Sequence, residues 1–185
     1  EKKVHKKTIP IQYIDHVIYA KGVHEDAWAA KGCTLVALEK EGKRVHIAGT
    51  HLQAGNSAAA VNQRDLQFRA IGNLVKKHQL GEVPLLVLGD MNTRRSNTEK
   101  YQRMLSEIGV HDTAIKDAKP YTIDPENSWN KGSRPQQLDY IMYQLNKASG
   151  QLSSLQINRL IQEHRGKVID LADHYGIFVD LFLID

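Results

Sequence analysis

Apolar stretches of strand length recur along the chain, and most of them border a polar residue. Residues 45–48 (Val-His-Ile-Ala) are a short strand candidate that ends in the polar Gly49-Thr50-His51. Residues 83–88 are continuously apolar and stop at a Gly-Asp pair, as expected for a strand buried on both faces. Residues 138–143 and 176–183 predict two further strands.

Two segments between these strands have helical periodicity. In residues 61–77 apolar side chains recur at spacings of seven, three and four, which predicts an amphipathic helix with Arg64 and Gln67 on its outer face. A capping-box pattern at 96–99 predicts the start of a second helix, and Gly109 predicts its end.

Strands that alternate with helices indicate an α/β layered domain. At 185 residues the chain has the length of one domain with a substantial core. Its composition, 41% hydrophobic and 25% charged, is that of a globular protein rather than a disordered or fibrous one.

Charge and cysteine content narrow the classes of function. Lys and Arg outnumber Asp and Glu by 25 to 21, an excess that suits an anionic substrate such as a phosphate, a lipid headgroup or a nucleic acid. The basic residues are dispersed, so the pattern falls short of a nucleic-acid-binding signature. Cys33 is the only cysteine, which excludes an intrachain disulfide and a cysteine-based zinc site.

The informative feature is the set of polar residues at the ends of the apolar segments. Its members are His51, Asp90, Asn92, Asp139, Asp173 and His174. Each has an ordinary alternative, such as a turn or a surface histidine. Functional groups in sheet proteins collect at strand ends, however, and these six residues, at the ends of four apolar segments, together favour a shared active site.

Phosphodiester hydrolysis explains why these residue types would be gathered. The reaction needs an attacking water, a base for its proton, and positive charge on the phosphoryl oxygens and the leaving group. A histidine oriented by a carboxylate supplies the base, and a second histidine with an asparagine amide can bind phosphoryl oxygens. Carboxylates supply the hard oxygen ligands that Mg²⁺ prefers.

Four motifs then make a family resemblance specific. They are Gly49-Thr50-His51-Leu52, Gly89-Asp90-Met91-Asn92, Leu138-Asp139-Tyr140-Ile141 and Ala172-Asp173-His174-Tyr175. In this order they resemble the motifs of the endonuclease/exonuclease/phosphatase superfamily. Tyr19-Ala20-Lys21-Gly22, Lys31-Gly32 and Gln137-Leu138-Asp139 resemble the bacterial neutral sphingomyelinases within it.

The resemblance implies a fold and a reaction. The expected fold is a two-sheet sandwich flanked by helices, deoxyribonuclease-like and four-layered, with residues 1–185 forming the C-terminal portion of the domain. The expected reaction is Mg²⁺-dependent cleavage of sphingomyelin to ceramide and phosphocholine, with other divalent ions left open. Peripheral membrane contact and secretion, or a periplasmic location, follow by bacterial analogy.

The resemblance also implies residue roles. His174 would be the general base, with Asp139 orienting it. Asn92 and His51 would hold the phosphoryl group. Asp90 would orient the nucleophile or contact the metal. The metal ligands would be Asp173, Asp90 and Asn92.

Two departures from the family pattern lead to further expectations. The family carries a metal-binding Glu in strands upstream of these motifs, and residues 1–7 contain nothing similar, so we expect an incomplete, inactive fragment with a defective metal site. Membrane-acting members carry an aromatic hairpin between the last two motifs. Here 149–170 lacks aromatic residues, and Leu155, Ile157, Leu160 and Ile161 predict a helix face instead.

Two alternatives stay open at this point. The same fold can act on nucleic acid or on an inositol phosphate. The chain can also be a non-catalytic fragment or binding module that keeps the fold without the metal site.

Overall fold

A six-stranded mixed sheet forms the centre of the molecule in the computed structural model, which describes residues 9–78, 83–117, 119–145 and 150–183. Its strands are β1 (Ile11–Ile18), β2 (Gly32–Lys40), β3 (Lys43–His51), β4 (Leu85–Asp90), β5 (His111–Asp112) and β6 (Asp139–Gln144). Their order is β1-β2-β3-β4-β6-β5. Only the β3–β4 pair is parallel among these, and a helix between the two strands supplies the crossover connection that a parallel pair needs.

Two helices cover one face of this sheet. They are α1 (Ala58–Lys77) and α2 (Thr98–Ile108), and their apolar sides share one core with β2, β3, β4 and β6. The cap of α2 is Asn97, whose side chain accepts from the backbone of Lys100, so the helix starts one residue later than the capping box predicted. Gly109 ends α2 in the left-handed conformation with φ 82°, as predicted. Neither helix, nor any other described one, is long and apolar enough to cross a membrane.

The prediction that Arg64 and Gln67 lie on the outer face of α1 is wrong. Both are buried, because the segment after β3 folds back over this helix. The Arg64 Nη1 donates to the carbonyl oxygens of Gln53 (2.7 Å) and Gly55 (2.6 Å), and the Gln67 Oε1 accepts from the Gln53 amide (2.9 Å). These two side chains therefore hold the segment that follows His51.

Short antiparallel pairs form a second layer on the other face. They are β7 (Gly150–Leu152) with β12 (Leu181–Leu183), β8 (Gln156–Asn158) with β11 (Gly176–Phe178), and β9 (Ile161–His164) with β10 (Lys167–Asp170). Leu86 and Ile141 of the central sheet pack with Leu155 and with partly buried residues of these pairs. The expected sandwich with flanking helices is confirmed, whereas the single strand predicted at 176–183 is two strands.

The helix face predicted between 155 and 161 is also wrong. Ile157 lies on β8 and Ile161 on the hairpin β9–β10, and Leu155 and Leu160 directly precede these two elements. The hairpin turns at Arg165 and Gly166 with positive φ at both. Several hairpin side chains are exposed, among them Ile161 (52%) and Val168 (60%). A hairpin therefore stands between the last two motifs, as in the family, although it lacks aromatic residues.

Gly89 allows β3 and β4 to pair where both strands approach the polar residues. Its φ is 137°, and a Cβ at this position would lie 1.8 Å from the Thr50 carbonyl oxygen. Gly49, one residue earlier on the paired strand, has no atom within 4 Å of such a Cβ and no positive φ. The two glycines therefore form a matched pair for substitution.

We expect Gly89→Ala to lower the free energy of unfolding by about 3 kcal/mol or more, because it combines backbone strain with overlap of two main chains. Gly49→Ala should change it by less than about 1 kcal/mol. Urea unfolding followed by circular dichroism measures both. Equal stability of the two variants would contradict this account of the close approach.

Candidate active site

Three of the predicted residues lie side by side because their strands are neighbours. In the strand register His51 of β3 pairs with Asp90 of β4, and Asp90 pairs with Asp139 of β6. Directly paired residues project to the same face of a sheet. The His51 Nε2 lies 3.4 Å from the Asp90 Oδ2. Residues that are remote in sequence thus form one polar row at one end of the sheet.

His174 joins this row from the loop before β11. Its Nδ1 lies 2.7 Å from the Asp139 Oδ2, and both side chains are largely buried. Thr122 connects the two elements, since its Oγ1 accepts from the backbone amides of Leu138 and Asp139 and its carbonyl accepts from the amide of Tyr175. The histidine and its carboxylate are therefore fixed by the same residue.

Two asparagines hold the loop that carries His174. The Asn127 Nδ2 donates to the carbonyl oxygens of Ala172 (2.8 Å) and Asp173 (3.3 Å), and the Asn130 Nδ2 also donates to Asp173 O. Neither asparagine was predicted, because Asn residues around 127–130 are equally typical of an unspecialised turn. Asn127 is nevertheless buried at 1% exposure, which marks it as a structural part of the site.

Asn92 lies beside Asp90 in a conformation that few residues adopt. Its φ is 47°, its amide donates to the Asp90 Oδ1 (2.8 Å), and its Nδ2 donates to the Leu52 carbonyl (3.0 Å). Asparagine tolerates this left-handed region better than most residues. A side-chain amide has two N–H groups, so one can bind Leu52 while the other serves a ligand.

Lys31 brings a positive charge to the Leu52 carbonyl, which also accepts from Asn92. Its Nζ donates to Leu52 O (2.8 Å) and to the Asp26 Oδ2 (2.9 Å), and Asp26 also accepts from the Ala54 amide (2.6 Å). Lys31 belongs to the motif Lys31-Gly32, but no role was predicted for it, because its partner in the site is a distant backbone oxygen. The Lys31–Asp26 pair supports the segment that follows His51.

The two carboxylates and the histidine influence one another electrostatically. Burial raises the pKa of Asp90, the neighbouring Asp139 raises it further, and the Asn92 amide opposes the rise. The hydrogen bond to Asp139 raises the pKa of His174, and burial opposes that rise. A proton on His174 is therefore stabilised by the group that orients it.

The donor chemistry of this row suits a hard divalent cation. Among the described residues, Asp90, Asp139 and His174 each offer one ligand atom within 4.8 Å of the others. A cation between the two carboxylates would relieve the repulsion that raises the pKa of Asp90. Asp173 is exposed and lies outside this cluster, so of the predicted ligands Asp90 is inside it and Asn92 is adjacent.

Two bacterial proteins have sequences similar to this chain. The chain is 31% identical over 137 residues to a sphingomyelinase C from Leptospira interrogans, covering 69% of the chain and 24% of that protein. It is 31% identical over 138 residues to a phospholipase C from Staphylococcus aureus, covering 69% of the chain and 41% of that protein.

Solved structures share this fold. A beta toxin variant from Staphylococcus aureus, solved with bound magnesium ions, superposes with a TM-score of 0.75 at 25% identity, over 96% of this chain and 66% of that one. The chain is related to the bacterial sphingomyelinases. The resemblance inferred from the four motifs is thereby confirmed, although no family model matches the sequence.

Replacing Asp139 tests the electrostatics of this sphingomyelinase-related site. We expect Asp139→Asn to lower the pKa of His174, because the variant removes the carboxylate that stabilises the imidazolium. Asp173→Asn should lower it less, since Asp173 contributes least among the charges acting on His174. Imidazole chemical shifts followed by NMR across pH give both values. A larger effect of Asp173→Asn would contradict the assigned pairing.

Proposed function

We propose that the protein is a Mg²⁺-dependent phosphodiesterase that hydrolyses sphingomyelin to ceramide and phosphocholine. The observation that carries this proposal is the Asp139–His174 pair next to Asp90 and Asn92, at the end of the sheet. Relatives named sphingomyelinase C and phospholipase C support the substrate class. The chain spans less than half the length of these two relatives, so the activity of the whole protein is part of the proposal.

His174 is the general base in this proposal. With its Nδ1 hydrogen directed to Asp139, the neutral imidazole presents a free lone pair on Nε2. That nitrogen takes a proton from a water positioned in line with the scissile P–O bond. Asp139 keeps the ring in this tautomer and stabilises the imidazolium that forms.

Asn92 and His51 bind the phosphoryl oxygens. The second N–H of the Asn92 amide and the partly exposed ring of His51 can donate to them, and both lie beside Asp90. Asp90 orients the attacking water or contacts the metal. Donors fixed in this way stabilise charge as it develops on phosphorus-bound oxygens, because the fold has already positioned them.

The carboxylate of Asp90 and the side-chain oxygen of Asn92 would hold Mg²⁺ next to Asp139, and Asp173 stays a predicted ligand beside it. When bound, the ion supplies positive charge to the phosphoryl group and the leaving oxygen. Mg²⁺ retains several waters and prefers oxygen ligands of this kind, to which the upstream Glu expected from the resemblance would add one more. The magnesium-bound beta toxin supports the choice of metal.

Exposed apolar side chains near the site favour a lipid substrate over a nucleic acid. The hairpin β9–β10 exposes Ile161, Val168 and Ile169. Trp129, 67% exposed, lies at the base of this hairpin, where its Nε1 donates to Asp170 O (2.9 Å). Together they form an apolar surface of the kind that enters a membrane interface. We therefore include peripheral membrane contact, and export from the bacterial cell, in the proposal.

One assay separates the proposed substrate from the nuclease alternative. We expect the full-length protein to release phosphocholine from sphingomyelin and to leave a plain duplex oligonucleotide intact. EDTA should abolish the release and added Mg²⁺ should restore it, because the carboxylate pair needs the cation to accommodate an anionic phosphate. Chromatography quantifies the released phosphocholine and any oligonucleotide fragments.

Each other outcome has a defined meaning. Cleavage of the oligonucleotide with sphingomyelin untouched would replace the lipid with a nucleic-acid substrate. Hydrolysis that persists in EDTA would exclude the metal-dependent mechanism. Binding of sphingomyelin vesicles without turnover of any phosphodiester would favour the non-catalytic module.

A further inference from the structure

A cavity of about 550 Å³ adjoins the candidate active site without including its predicted residues. Arg94, Arg95, Arg134 and Gln137 are among the residues that line it. Two short links join it to the site: Arg94 follows Asn92 by two positions, and the Gln137 Nε2 donates to the Asp139 carbonyl (3.4 Å). The cavity is therefore lined by residues that are close in the chain to Asn92 and Asp139.

The cavity is strongly basic. No acidic residue lines it, and within the described chain no carboxylate forms an ion pair with Arg94 or Arg134. Arg95 differs, because its Nη2 lies 3.2 Å from the Asp112 Oδ2 and its guanidinium lies over the Tyr101 ring. Two guanidinium groups are thus available for an anion, and the third is held in place by its own partners.

Gln137 adds a need for a hydrogen-bond donor to the positive charge of the arginines. It is 5% exposed, and its Oε1 is a buried acceptor with no hydrogen-bond partner in the described structure. An unsatisfied buried acceptor is costly. Because the Oε1 is enclosed, the Gln137 amide must turn toward the cavity that this residue lines before a ligand hydrogen-bond donor can satisfy it. Hydrogen phosphate and a singly protonated phosphate monoester each carry negative charge together with one O–H donor. Sulfate carries the charge and no donor.

We propose that this cavity is a second anion site that binds a phosphate or phosphate monoester group, either free or as the headgroup of a lipid such as phosphatidic acid. Arg94 and Arg134 bind the anionic oxygens, and Gln137 accepts the P–O–H hydrogen. The group bound here is distinct from the phosphodiester at His174. Binding at this site involves no bond cleavage. The anion site can therefore be present even if the protein is not a phosphodiesterase, and the protein can be a phosphodiesterase even if the anion site is absent.

Calorimetric titration with inorganic phosphate in EDTA tests the site, since without a cation the Asp90–Asp139 pair disfavours an anion in the active site. We expect the double variant Arg94→Gln/Arg134→Gln to weaken phosphate binding roughly thirtyfold, taking about 1 kcal/mol for each arginine. The matched variant Lys40→Gln/Lys76→Gln removes the same charge from exposed positions outside the cavity and should change binding less than about twofold.

Sulfate and vesicles complete the experiment. Phosphate should bind at least about tenfold more tightly than sulfate, the difference expected for one buried hydrogen bond. Sedimentation with phosphatidylcholine vesicles, with and without phosphatidic acid, identifies the source of the phosphate group. If phosphatidic acid makes the protein sediment with the vesicles and the arginine double variant does not, the group is a lipid headgroup. If phosphate binds but phosphatidic acid does not retain the protein on vesicles, the group is the free anion. Equal losses in both double variants, equal affinity for sulfate, or no binding of phosphate would overturn the proposal.

Discussion

The carboxylates of Asp90 and Asp139 are held on paired positions of neighbouring strands, and the rest of the site is organised around their proximity. The strand register leaves them little freedom to separate, because β4 and β6 pair up to this position and the Met91 amide donates to the Leu138 carbonyl just beyond it. Burial raises the pKa of Asp90 chiefly by desolvation, and it also strengthens the repulsion from Asp139, which raises the pKa further. A pair of this kind is stable only where other groups offset the charge.

The offsetting groups are also the groups that the chemistry requires. On one side His174 binds Asp139, and on the other the Asn92 amide binds Asp90. A divalent cation between the carboxylates would complete the neutralisation and would draw a phosphate to the same place. In the proposed function, the fold turns this locally unfavourable arrangement into a place where an anion and its metal would bind, as functional sites commonly do.

Much of this arrangement could be predicted from the sequence, for identifiable physical reasons. The runs 83–88 and 138–143 predicted strands because buried strands are continuously apolar, and the polar residues that border them marked the site. The helix at 155–161 was wrongly predicted, since a short apolar run has no period that separates helix from strand. Arg64 was wrongly placed outside because helical periodicity reports polarity, and its partners are backbone oxygens eleven and nine positions earlier.

The supporting residues could not be predicted for a similar reason. Thr122, Asn127 and Lys31 act through backbone groups of distant segments, and nothing in their local sequence indicates those partners. By contrast His51, Asp90, Asn92, Asp139 and His174 occur in motifs whose order could be recognised. The structure brings all five of these residues together at one end of the sheet, which the order of the motifs alone did not require.

In the proposed mechanism Asp139 acts through His174 on the water that attacks phosphorus, and a double-mutant cycle on kcat/KM of the full-length protein for sphingomyelin tests this most directly. His174→Ala should reduce the rate by roughly two to four decades, as expected for loss of a general base. Asp139→Asn in the His174→Ala background should then add less than about tenfold, because the residue it orients is gone. Losses that multiply in full, or near-normal turnover of His174→Ala, would contradict the account.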